Sequence, residues 1–219
     1  MPKAIRQLLI IFTFLPILLI ADDLKNQILT MRDRAQFRDS LLKDRIKTVL
    51  PAIMRRNKLD MWVIIAREYN EDPVIRTLLP ATWLNARRRT ILVFFDPGKN
   101  KALETYAIAR YDVGEIFKKR WDPEKQPDQY QALSDLIKNK NPKKIGLNRS
   151  VYFAQADGLT ATENDLLINA LSQKYVKKLV SAEKIAVGWL ETRSKKEMEY
   201  YPLICNIAHK IIKEGLSAN

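Results

Sequence analysis

Histidine and cysteine, two of the residues most used to build metal and redox centres, are nearly absent from this 219-residue chain: there is one of each, His209 and Cys205. A single cysteine excludes an internal disulfide framework and any CxxC zinc site. Placed on the apolar side of a helical pattern, Cys205 reads as a small buried hydrophobe. His209 has no second histidine to complete a ligand set, and off that apolar stripe it reads as a solvated or interface residue. Glycine is also scarce. The six glycines, at 98, 114, 146, 158, 188 and 215, build neither a GxGxxG nor a P-loop, so nucleotide binding by those motifs has no support. With no repeat or low-complexity tract beside them, they argue against a linker-rich or disordered protein. Ser150 and Ser194 have no histidine in a nucleophile arrangement.

Acid is short relative to base. Lys and Arg number 38 against 25 Asp and Glu, for a net charge of +13, which favours anionic partners such as nucleic acid, an acidic membrane surface or an envelope polymer. The bases fall in short groups at 55–56, 87–89, 118–120, 138–144, 177–178 and 195–196. They lie neither on one helix nor between exposed aromatics, so a solvated basic surface is expected and nucleic acid is not an expected partner.

The N-terminus has the order of an export signal. Lys3 and Arg6 precede an apolar run over residues 8–20, followed by Ala21 and the acids Asp22 and Asp23. That run is shorter than the roughly 20 residues a spanning helix needs. Leu19 stands where a cleavage site prefers a small side chain, so residues 1–21 are expected to be either a secretory signal peptide or an N-terminal anchor. The protein is accordingly expected to be exported, to the periplasm or the extracellular space.

With 47% apolar content the remainder has enough material for a globular core. Residues 34–54 place Leu42, Ile46, Val49, Leu50 and Ile53 on one helical face despite Pro51. Buried strands are expected at 61–66 and 91–95 and a half-buried one at 105–109. Asp96, Pro97 and Gly98 mark a turn that makes the last two an antiparallel pair. A helix is expected over 128–140, a short strand at 145–147, a helix opened by a Thr160/Glu163 capping box, and a strand at 175–180. Strands alternating with helices predict an α/β fold, a mixed central sheet with helices on both faces.

The chain closes on one more helix. Ser194 and Glu197 form a second capping box, and Met198, Tyr201, Ile204, Cys205, Ala208, Ile211, Ile212 and Leu216 recur at three- and four-residue spacing. Pro202 is expected to kink the first turns and Gly215 to mark the end. The stripe needs something to cover it.

The run from Trp189 through Glu191, Arg193, Ser194 and Glu197 to Met198, followed by Ala208 and Gly215, resembles the junction between the N-terminal and pita-bread catalytic domains of the creatinase/aminopeptidase P family. Residues 59–73, with Trp62 in an apolar strand followed by Glu68, Tyr69, Asn70, Glu71 and Asp72, look like that family's first strand and loop in its secreted Xaa-Pro peptidase branch. Residues 87–96 and the run Ala156, Asp157, Gly158, Leu159, Thr160 are of the same type.

The resemblance implies a creatinase-like N-terminal α/β domain over 22–185, then a linker and the first helix of a catalytic domain over 186–219. Two divalent metals, held by Asp, Asp, His, Glu and Glu, would belong to a full-length family member. None of those ligand positions matches here, so the resemblance gives this chain no catalytic, cofactor-binding or metal residues and no cofactor of its own. The expected role is the non-catalytic portion of a Xaa-Pro metallopeptidase, supplying subunit contacts and substrate-channel walls. The expected partner is a catalytic domain covering the 194–216 helix, with a homo-oligomer as a further expectation and peptide substrate bound only by the full-length form. The alternative is a stand-alone basic binding or assembly module for an envelope partner. Within the domain, the loop Glu68, Tyr69, Asn70, Glu71 and Asp72 is the local candidate site, because ligands of open α/β sheets lie beyond strand carboxyl ends.

Overall fold

Strand β1 (Met61–Arg67) carries six consecutive buried residues and no polar alternation, the pattern of a strand covered on both faces. Trp62, Ile64 and Ala66 enter one core cluster, whereas Met61, Val63 and Ile65 enter the other, as the period of two requires. The computed structural model describes residues 28–98 and 101–217. Residues 35–200 form one compact unit, and the described residues 28–34 and 201–217 belong to a second.

Six strands pair in the order β4-β3-β2-β1-β5-β6. They are β1, β2 (Arg89–Phe95), β3 (Glu104–Ile108), β4 (Lys118–Lys119), β5 (Ile145–Leu147) and β6 (Leu179–Ser181). Strand β2 is antiparallel to both β1, with Val63 opposite Val93, and β3, with Val93 opposite Tyr106. β5 runs parallel to β1, β6 to β5 and β4 to β3, so β2 alone opposes the others. The sheet is mixed and the fold is α/β, as expected. The carboxyl ends of β1, β3 and β5 and the amino end of β2 therefore share one edge.

On the first face, α1 (Met31–Arg56) buries Leu42, Ile46, Val49, Leu50, Ile53 and Met54, and tolerates Pro51 inside it. Helix α5 (Glu183–Glu191) lies beside it and buries Ile185, Ala186 and Trp189. On the second face sit α2 (Gln129–Lys140) and α3 (Ala161–Ala170), through Leu133, Ile137 and Leu167. Asp128 caps α2 by accepting from Tyr130 N at 2.8 Å, and Asn141 stops it in the left-handed conformation, φ 44°, that asparagine tolerates.

Three expectations need correction. The strand placed at 175–180 is instead a helical turn, α4 (Gln173–Val176), followed by the three-residue β6; Tyr175 turns inward and its hydroxyl meets Asn141 Oδ1 at 3.2 Å. The Thr160/Glu163 box closes on one side only: Thr160 Oγ1 accepts from Glu163 N at 3.4 Å, but the Glu163 side chain is drawn away to two arginines. Cys205 is exposed rather than buried, because no residue of α6 (Lys195–Ser217) is buried. The sequence reading gives no helix where α5 forms.

The Ser194/Glu197 box is complete, with Ser194 N to Glu197 Oε2 at 2.7 Å and Glu197 N to Ser194 Oγ at 3.2 Å. Pro202 lies within the helix. The export signal or anchor expected at residues 1–21 lies outside the described residues. Among those described, no helix is long and apolar enough to cross a membrane.

Gly188 shows how tightly the first layer packs. A Cβ there would stand 3.1 Å from Ile53 Cγ2, and a glycine inside a helix otherwise costs about 0.5–1 kcal/mol relative to alanine. Gly188→Val should therefore force α1 and α5 apart and lower stability by about 1–3 kcal/mol in equilibrium urea unfolding. An unchanged midpoint would show that the helices do not depend on this close approach.

Candidate functional site at the carboxyl edge of the sheet

Three side-chain assemblies occupy the edge where β1, β3 and β5 end and β2 begins. The first is centred on Glu163, only 1% exposed in the first turn of α3. Arg89, at the start of β2, forks onto it with Nε to Oε2 at 2.7 Å and Nη2 to Oε1 at 3.1 Å. Arg67, at the end of β1, stands at 3.7 Å. The Tyr130 hydroxyl of α2 donates to the same carboxylate. Burial, and then this bond to the carboxylate, hold the Tyr130 hydroxyl protonated well beyond its ordinary range. Two cations and a hydroxyl compensate a charge that would be costly to bury alone.

The second assembly is a chain of hydrogen bonds beneath the loop 68–72. Trp62 Nε1 donates to Asn148 Oδ1 at 2.8 Å, and Asn148 Nδ2 donates to Asp72 Oδ2 at 2.9 Å. Asp72 Oδ1 accepts from Val74 N at 2.8 Å. All three side chains are buried, and Gly158 presses on the carboxylate so closely that a Cβ there would lie 2.3 Å from Asp72 Oδ2. Burial pushes the Asp72 carboxyl up to about 6, against the lowering effect of its hydrogen bonds to Asn148, Val74 and Ile75; nearby Asp157 adds to the rise.

The five-residue loop thus does not converge on a ligand. Glu68 turns toward β2, where its Oε2 accepts from Arg88 N at 3.1 Å, whereas Asp72 turns inward toward Asn148. Tyr69 takes a left-handed φ of 68° and is 90% exposed. Among the described residues no three Asp, Glu, His or Cys side chains gather as a metal group. His209 and Cys205 are exposed on α6, and Ser150 Oγ donates to Glu183 Oε2 at 2.6 Å while accepting from Phe153 N, a loop-fixing role.

The third assembly is a cleft of about 660 Å³ between the start of β2 and the end of β3. Arg87, Arg88 and Arg110 line it with Trp83, Trp121 and the buried Gln129. The sequence showed the arginine group 87–89 but gave no sign of its neighbours. Residues 83, 110, 121 and 129 lie on separate segments, and only the sheet order joins them. Asn148 and Glu163 were likewise invisible as site residues: Glu163 had a capping explanation, and nothing local marked Asn148.

No protein-family model, curated protein or solved structure matches this chain.

Asp72 gives the site a pH signature. Its carboxyl holds a proton up to about pH 6 in the folded chain but only to about 3.8 in the ordinary state, so the folded form binds the extra proton between those values. The contribution to stability is complete below pH ~4 and is lost as pH rises through 6, by roughly 3 kcal/mol. Asp96 acts in the opposite sense at lower pH: its hydrogen bonds from Arg55 hold its carboxyl below the usual range, so that contribution is lost as pH falls through the lowered value. Urea midpoints taken between pH 4.5 and 7 should decline for the wild type and stay level for Asp72→Asn, although the variant is weaker at the acid end because its amide meets the Asn148 amide donor. Parallel slopes for the two proteins would remove Asp72 as the cause.

Proposed function

We propose that this chain is the N-terminal, non-catalytic portion of a creatinase/aminopeptidase P-like Xaa-Pro metallopeptidase, a contact and channel-wall domain without hydrolytic activity of its own. One observation carries the reading: three of the four stretches that resemble the family, in chain order 59–73, 87–96 and 156–160, touch one another. Asp72 of the first stretch lies under Gly158 of the third, and Glu68 of the first exchanges backbone and side-chain hydrogen bonds with Arg88 of the second, with Glu68 N to Arg88 O at 2.6 Å.

The same edge is dressed for contact. Tyr69 after β1, Tyr111 after β3, Leu84 before β2, and Val151, Tyr152 and Phe153 after β5 are all exposed. Clustered exposed aromatics mark interaction surfaces more often than free solvent-facing ones. In the proposed assembly this rim faces a metal-bearing catalytic domain, whose two divalent ions would be bound by that domain's own carboxylates and imidazoles. Export through residues 1–21 belongs to the same proposal. The alternative, a basic binding module for an anionic envelope partner, is favoured by one feature, the three arginines of the cleft.

Antibody capture of the protein from its source cells, followed by mass spectrometry and a Xaa-Pro peptide assay with manganese, tests the reading. This domain should be recovered on or with a polypeptide carrying paired Asp, His and Glu ligands, together with hydrolysis, while the isolated 219-residue chain neither cleaves the peptide nor binds two manganese ions. Recovery of the 219-residue chain with no such polypeptide and no hydrolysis would refute it, as would turnover by the isolated chain.

A further inference from the structure

The cleft beside β2 is built rather than incidental. Arg87, Arg88 and Arg110 are exposed, and among the described residues none of them takes part in an ion pair, in contrast to Arg89 next door, which Glu163 neutralises. Glu68 is the single carboxylate among the described lining residues, and its Oε2 is already engaged by the Arg88 backbone N–H. Three guanidinium groups therefore line one cleft against a single carboxylate.

Their positions are held from behind. Arg88 adopts φ 52°, a left-handed conformation unfavourable for a long side chain, and is pinned there by Glu68 through both its N–H and its carbonyl. Buried Thr90 ties down the turn, its Oγ1 accepting from Arg87 N at 3.2 Å. Gln129 Nε2 donates to both Arg89 O at 3.1 Å and Ile108 O at 2.6 Å. The two bonds, one from each amide hydrogen, bridge the ends of β2 and β3 where their pairing stops. The guanidinium of Arg87 lies 4.3 Å from the Trp83 ring centre and that of Arg110 lies 5.9 Å from Trp121. The Trp121 ring is itself anchored by Nε1 to Gln126 O at 2.7 Å. A guanidinium held over an aromatic ring can still present N–H groups to an oxyanion.

We propose that this cleft binds the phosphate group of a small organic phosphate. Arginine forks match the geometry of phosphate oxygens, and three cations against the one carboxylate of Glu68 leave the cleft with an excess positive charge that suits a dianion better than a single carboxylate. At about 660 Å³ the cleft exceeds a bare phosphate ion and leaves room for an organic group beside Trp83 and Trp121. This inference does not depend on the peptidase reading, because it uses no residue of a catalytic domain.

Isothermal titration of the full chain at 150 mM salt with AMP, adenosine, inorganic phosphate and citrate provides the test. AMP should bind saturably at one site, inorganic phosphate more weakly, and adenosine and citrate at least tenfold more weakly than AMP. The double variant Arg87→Ala/Arg110→Ala should weaken AMP at least tenfold, while Lys177→Ala/Lys195→Ala, an equal loss of charge elsewhere, stays within twofold. Arg88→Gly separates binding from folding: relief of the left-handed strain should leave its melting temperature equal or higher while AMP binding falls several-fold. Absent saturation, equal weakening by the lysine variant, or citrate or adenosine matching AMP would each overturn the proposal.

Discussion

A single buried carboxylate organises the functional edge of this protein. Glu163 stands on α3, yet its oxygens are claimed by Arg67 at the end of β1, Arg89 at the start of β2 and Tyr130 on α2. An ion in a low-dielectric interior is tolerated only when its partners are fixed around it, so the carboxylate fixes two strands and two helices relative to one another. The helix keeps its Thr160 cap but gives up the return bond of the capping box in exchange for a forked charge-assisted pair.

That clamp also divides the arginines by role. Arg89 is half-buried and spent on structure, whereas its neighbours Arg87 and Arg88 are exposed and form no ion pair among the described residues. The turn that carries them is secured by Glu68 on one side and Thr90 on the other. Glu68 lies in the loop expected to be a candidate site, but it acts as a support for the turn rather than as a ligand. Asp72, in the same loop, has the opposite fate: it is sealed under Gly158 and joined through Asn148 to Trp62, where burial keeps its carboxyl readily protonated. Two carboxylates four residues apart therefore face different environments, one at the rim and one in the core.

The aromatic rim, the guanidinium cleft and the sealed Asp72 network all lie where parallel strands end. At such an edge the backbone must leave the sheet, so loops of unrelated sequence are brought side by side over a rigid base. The proposed contact role uses the exposed aromatics of this edge and the proposed phosphate site uses its arginines. The two surfaces share Tyr111, which lines the cleft, whereas Val151, Tyr152 and Phe153 follow β5 and belong to the rim alone.

What the sequence by itself determined is what depends on neighbours along the chain. The buried runs at 61–66 and 91–95, the turn at Asp96 and Gly98, the Asp128-capped helix and the complete Ser194/Glu197 box are all readable from periodicity and local hydrogen bonding. Local rules failed where a distant group outbid them. Glu163 left its own helix start for Arg89, Tyr175 turned a presumed strand into a helical turn, and α5 formed where only a linker was expected. Tertiary structure alone decided the site, since Trp83, Arg110, Trp121 and Gln129 come from different segments and meet only through the order β4-β3-β2-β1. The reason is physical: periodicity records which face of an element is buried, but charge compensation and cleft geometry arise between elements, at distances the chain does not encode locally.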